Sequence, residues 1–187
     1  MNYGITRDEA LALVNEQLKN PNLIKHCLAT EAVMRVLAVR FDADPEKWGL
    51  AGLLHDLDAE TQPDLAIHTK ETEEILRKRG VDEEIIEVIG MHNETARGRK
   101  RSSTFEHALA AGETITGLIV ATALVYPDKK LASVKAKSVR KRIKEKAFAA
   151  GANREIIGEC ELIGIPIDEF CGICLEAMQE ISGELGL

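Results

Sequence analysis

Apolar residues recur every three or four positions along nearly the whole chain, the spacing that lines one face of an α-helix. Ala10, Leu11, Val14 and Leu18 form the first stripe; Thr6 and Glu9 stand before it at capping-box spacing, and Asn20-Pro21 stops it. A second stripe runs through His26, Ala29, Val33, Met34 and Leu37. His26 lies seven residues before Val33 and so shares the buried face. Asp44-Pro45 reads as an N-cap and first-turn proline for a helix that ends in Leu54-His55-Asp56. A helix over 69–79 closes at Gly80, and Asp82 caps another that runs through Ile85, Ile86 and Ile89 to His92. Ser103 and Glu106 repeat the capping box and open a long apolar helix that ends before Pro127. The tail adds a basic helix ending near Gly151, a helix over 153–163, and a last one from Pro166-Ile167-Asp168. No stretch alternates with period two between hairpin turns. The pattern predicts an all-α fold.

Composition narrows the class without naming a function. The 187 residues suit one domain, and an aromatic content of 4% leaves the core to aliphatic side chains. The longest apolar stretch, around 118–126, reads as too short to cross a bilayer, and no basic start with an apolar run marks a leader. The expectation is a cytoplasmic protein with no membrane partner. Cys171 and Cys174 have CxxC spacing, but they share a helical face with Met178 and Ile181, and no second pair completes a zinc site. Core packing is the better reading.

A net charge of −7 disfavours nucleic acid as a partner. Positive charge is nevertheless concentrated, at Arg97, Arg99, Lys100 and Arg101 and again at Lys135, Lys137, Arg140, Lys141, Arg142 and Lys144. The first of these runs falls in the loop over 97–102, the segment with the strongest sequence signal for flexibility.

The chemistry gathers around His55-Asp56, an imidazole and a carboxylate at the end of an apolar run. Polar groups in such a place need partners, and His with Asp is a ligand mixture that a divalent metal accepts. His26, His68 and His92 each stand near the edge of a helix, and Glu113 lies inside the long one, with Ala110 and Gly117 on its face and Gly112 beside it. Ligands carried by several packed helices converge on one point. His107 sits off the Glu113 face and reads as an ordinary hydrogen-bonded residue.

The order His, His-Asp, two separated His and a carboxylate on a following helix resembles the HD superfamily of metal-dependent phosphohydrolases. His55-Asp56-Leu57-Asp58, His92-Asn93-Glu94, Thr116-Gly117-Leu118-Ile119 and Phe148-Ala149-Ala150-Gly151 resemble a subgroup of small bacterial HD/HDIG-type proteins. The resemblance implies an HD-domain-like helical bundle over 1–187, with a metal-site core at about 20–126 and a helical extension at about 127–187. It implies His26, His55 and Asp56 as ligands, with His68 and His92 as the extra pair of members that hold a second metal. The last family ligand is an aspartate, and Glu113 stands in its place. Its extra methylene moves the carboxylate by roughly one bond length and predicts weaker metal binding or turnover.

The expected function is hydrolysis of a phosphate ester or anhydride in a nucleotide or another small phosphorylated molecule, with one or two divalent ions (Fe, Mn, Mg, Zn, Ni or Co) as cofactor. Asp56 and His55 are the expected catalytic residues. Arg97, Arg99, Lys100 and Arg101 are expected to supply phosphate contacts at the mouth of the site. Two other classes stand beside this one: an HD-fold binding or signalling module that holds a metal or nucleotide, and an RNA-binding or RNA-processing protein that uses the basic segments. No aromatic platform accompanies that charge, which ranks RNA third.

Overall fold

The computed structural model describes residues 3–62 and 64–187, and every regular element among them is helical. In chain order these are α1 (Arg7–Gln17), α2 (Pro21–Arg40), α3 (Pro45–Leu54), α4 (Lys70–Lys78), α5 (Glu83–Met91), α6 (Glu94–Arg97), α7 (Thr104–Leu124), α8 (Ala136–Lys144), α9 (Arg154–Gly158), α10 (Ile167–Glu180) and α11 (Ser182–Leu185). Both capping boxes form, at Thr6 with Glu9 and at Ser103 with Glu106, and Asp44 and Asp82 accept amide hydrogens at the starts of α3 and α5. These caps satisfy amides that would otherwise be orphaned at helix starts.

The core has α7 at its centre. This helix packs against α2, α3 and α5 and also against the tail helices α8, α9 and α10, so the tail shares one hydrophobic cluster with the rest of the chain. Trp48 stacks on Phe105, with ring centroids 4.6 Å apart, and fastens α3 to the start of α7. All four cysteines are free and buried, in line with the core-packing reading of Cys171 and Cys174.

Several elements depart from the sequence pattern. The single-turn helices α6 and α11 are too short to show a periodic stripe. The basic helix stops at Lys144, short of Gly151, because Glu145 leaves helical geometry (φ −93°, ψ 84°) and Ala149 takes a left-handed φ of 46°. The helix expected over 153–163 tightens after Gly158 into a turn over Glu159–Glu161. The apolar stretch expected at 118–126 belongs to α7, which by length and composition is long enough to cross a membrane. Here it is the core helix, with Ala108, Leu109, Ile115, Leu118 and Ile119 all buried against neighbouring helices.

The loop over 97–102 is also not the loose segment its composition suggests. Arg97 contacts Glu73 and Glu87, Arg99 holds Glu106 at 2.7 Å, Lys100 holds Glu94 at 2.8 Å, and Arg101 holds Glu159 at 2.7 Å.

A close helix crossing joins α2 to α3. A Cβ placed on Gly52 would lie 2.7 Å from the carbonyl oxygen of Thr30 and 3.0 Å from the Cα of Glu31, so only glycine fits without moving a helix. Gly52→Ala is expected to cost about 1–3 kcal/mol in denaturant unfolding, since the obstacle is backbone and not a flexible side chain. A cost below about 0.5 kcal/mol, the range of a neutral surface change, would show that this crossing is not tight.

Glu106 supplies a pH-dependent share of the stability. Burial works against its charge, but Arg99 and the amides of Ser102 and Ser103 outweigh that and bring its pKa down to about 2. A carboxylate depressed on folding contributes fully above its unfolded value of about 4.3. The contribution is lost as pH falls from there to about 2. Unfolding free energy measured across this window should fall more shallowly in Glu106→Gln than in the parent.

Candidate metal centre

The Gly52 crossing decides where the first two histidines meet. His26 lies one turn before Thr30 on α2, and His55 follows Gly52 by one turn as the C-cap of α3. Their Nε2 atoms are 3.1 Å apart. His68 lies in the segment between α3 and α4, His92 is the C-cap of α5, and their Nε2 atoms also stand 3.1 Å apart. Asp56 sits between the two pairs. Its Oδ2 lies 3.7 Å from His26 Nε2 and 3.6 Å from His55 Nε2, while its Oδ1 lies 3.2 Å from His68 Nε2 and 3.5 Å from His92 Nε2. Glu113, from the middle of α7, brings Oε2 to 3.8 Å from His26 Nε2. Two groups of possible ligands result: His26, His55 and Glu113, and Asp56, His68 and His92.

The outer ring nitrogens show why these groups suit a cation. His55 Nδ1 donates to the Gly52 carbonyl at 2.8 Å, and His92 Nδ1 donates to the Ile89 carbonyl at 2.6 Å. Thr116 spends its hydroxyl hydrogen on the Glu113 carbonyl at 2.7 Å and so accepts from His26 Nδ1 at 2.9 Å. In a neutral imidazole a proton on Nδ1 leaves a lone pair on Nε2. The His26–His55 contact then sets lone pair against lone pair at 3.1 Å, an arrangement that a shared cation relieves. The donor set of imidazoles and carboxylates fits a divalent metal.

The fourth histidine is handled by acid. His68 Nδ1 lies 2.8 Å from Asp58 Oδ1, although the two fall outside hydrogen-bond alignment. Asp58 is itself fixed by the amides of Thr69 at 2.8 Å and Thr72 at 3.3 Å. Burial opposes charge on His68, but Asp56 and Asp58 outweigh it and push its pKa up to about 10. His55 goes the other way, since burial brings it down to about 3. Burial alone would raise Asp56, yet the surrounding histidines hold it well below the usual carboxylate range. Burial raises Glu113. The protein thus keeps a carboxylate at the junction and a neutral imidazole at its most buried ligand.

Backbone strain accompanies this placement. Thr69, directly after His68, has a φ of 87°. A β-branched residue in that region costs on the order of 1–3 kcal/mol and persists only where its surroundings enforce it. Asn93 does so in part, donating to the carbonyls of Leu65 at 2.8 Å and His68 at 3.1 Å.

Five of the six grouped residues, His26, Asp56, His68, His92 and Glu113, line a cavity of about 910 Å³, and His55 is buried behind them. Gly117 opens α7 towards the cavity, whereas Gly112 packs on Val33 and Met34 of α2. The far wall is Ala149, Ala150, Gly151 and Ala152, beyond α8. Arg154 shapes that wall by donating to the carbonyls of Phe148, Ala149 and Ala152.

Among the expected phosphate contacts, Lys100 and Arg101 line the cavity and Arg97 and Arg99 do not. Arg101 has a side chain only 3% exposed, holds Glu159 through two bonds of 2.7 Å, and donates to the carbonyls of Met91 and His92. It braces the end of α5. His107 is bonded to the same Glu159 at 2.7 Å and joins neither ligand group.

Sequence reasoning passed over Thr116, Asp58, Asn93 and Glu159 as supports. Thr116 sits three residues after Glu113, on the same helical face, so its role was open to spacing. Glu159 gave no such signal, because its partner Arg101 is 58 residues away.

The HD domain family matches residues 23–143, and the chain belongs to that family. No curated protein and no solved structure matches it.

Metal stoichiometry checks the assignment. Asp56→Ala should lower metal content most, because its two oxygens face different histidine pairs. His55→Ala should also lower it, and His107→Ala should keep the parental content. Elemental analysis of protein purified without chelator reads all three. Metal loss in His107→Ala equal to that in His55→Ala would overturn the ligand set.

Proposed function

We propose that the chain is a metal-dependent phosphohydrolase of the small bacterial HD type, acting on a phosphate ester or anhydride in a nucleotide or another small phosphorylated molecule. The observation that supports this most is Asp56, which turns one oxygen to each histidine pair at the floor of an open cavity. A divalent ion held by such ligands supplies Lewis acidity for a phosphoryl oxygen and for water.

The protein's own residues do the remaining work in this reading. His26, His55 and Glu113 hold one position and Asp56, His68 and His92 the other, while the anchored Nδ1 atoms keep the rings from rotating. Burial of His55 and the small-residue wall restrict water to the cavity side. Asp56, kept ionised, is the group placed to orient a water against the substrate.

Glu113 fits this arrangement better than its extra methylene suggests. One oxygen faces His26, and the other lies against the hydroxyl of Thr114, whose one hydrogen is shared with the carbonyl of Ala110. Glu113→Asp withdraws the oxygen and should lower metal affinity about tenfold, or about 1.4 kcal/mol. Glu113→Ala should lower it further. Metal titration of the three proteins, with phosphatase assays on nucleotides and phosphorylated metabolites, tests the reading. Tighter binding in the aspartate variant would mark Glu113 as a weakened ligand. Parental metal content with no hydrolysis across the panel would favour a binding module instead.

A further inference from the structure

The charges around the cavity limit how many phosphates a substrate brings. Its lining carries Asp56, Glu94, Glu113, Glu155 and Glu159 against only Lys100 and Arg101 as permanent cations. Neither cation is free. Both oxygens of Glu159 are taken up by Arg101, and Lys100, 89% exposed, holds Glu94 at 2.8 Å. Arg97 and Arg99 are turned to Glu73, Glu87 and Glu106, outside the lining. Arg154 lies behind the wall, with its terminal nitrogens spent on carbonyl oxygens. Glu155, exposed on the wall, has no cation within ion-pair distance among the described residues.

Free positive charge for a substrate therefore comes chiefly from the ligand cluster, since Lys100 reaches a phosphate only by leaving Glu94. Even two divalent ions, set against Asp56 and Glu113, leave an excess of about two charges, enough for one phosphoryl group. Outside the ligand groups, the lining carboxylate that would meet a second or third phosphate without a cation of its own is Glu155. A like charge on the wall weakens the binding of each added phosphate. The opposite wall offers Ala149, Ala150, Gly151 and Ala152, with Leu65 and Ile156 beside them, which is room for an uncharged group.

Building on the hydrolase reading, we propose that the substrate is a phosphomonoester with an uncharged organic leaving group, and that the cavity discriminates against di- and triphosphates. Hydrolysis then breaks one phosphorus–oxygen bond, with water supplying the oxygen that stays on phosphate and the proton that goes to the alcohol.

Adenosine monophosphate and adenosine triphosphate separate the alternatives, because they share a nucleoside and differ in phosphate number. Each is titrated by calorimetry into Mn²⁺-loaded protein at a fixed free Mn²⁺ concentration, and hydrolysis of each is followed in parallel. The monophosphate is expected to bind at least about tenfold more tightly. Glu155→Lys should narrow that gap by strengthening triphosphate binding. Triphosphate binding equal to or tighter than monophosphate binding overturns the preference and leaves the hydrolase reading standing. Failure of both nucleotides and of orthophosphate to bind overturns the hydrolase reading and the preference with it.

Discussion

The backbone contact between Gly52 and Thr30 is the constraint on which the metal centre depends. Helix axes usually stand 8–10 Å apart, set by the side chains between them. Here one side chain is missing, and the helices close until a carbonyl meets a Cα. The residues one turn away on each helix are His26 and His55, so main-chain packing brings their backbones together and the anchored Nδ1 atoms aim the two rings at each other. The same two turns carry further support. Thr30 donates its hydroxyl to the carbonyl of His26, and the carbonyl of Gly52 receives the Nδ1 hydrogen of His55.

Around this crossing the protein uses helix ends for chemistry. The last carbonyls of a helix have no partner within it. Gly52 and Ile89 give theirs to His55 and His92, and each histidine is the C-cap of the helix it anchors to. Structural need and chemical need are met by one bond. Glu113 differs, coming from mid-helix, and its support is correspondingly local: on the same helix Thr114 lies against its side chain and Thr116 donates to its carbonyl.

Much of this was legible in the sequence because it is written in local signals. Capping residues marked the starts of α1, α3, α5 and α7, and His55 and His92 stand at helix ends as the pattern expects, whereas His26 lies within α2 and His68 between helices. What was not legible depends on distant partners or on backbone shape. Arg101 reads as one of an exposed basic run, but Glu159 draws it into the interior. Thr69 carries no mark of its positive φ, since glycine is the residue that announces such a turn. The break after Lys144 is likewise invisible to periodicity, because Arg154, ten residues later, gathers the carbonyls that a longer helix would have used.

The Arg101–Glu159 pair carries a consequence for how the molecule divides. The family match ends at residue 143, but the carboxylate that balances the brace on α5 lies beyond it. Removing one member of a buried pair strands the other charge, at a cost of about 3–5 kcal/mol. That is a large part of the stability of an ordinary domain. The limit of sequence likeness is therefore not a limit of the packed structure: through Arg101, the end of the helix that presents His92 is tied to Glu159, a residue beyond the matched segment.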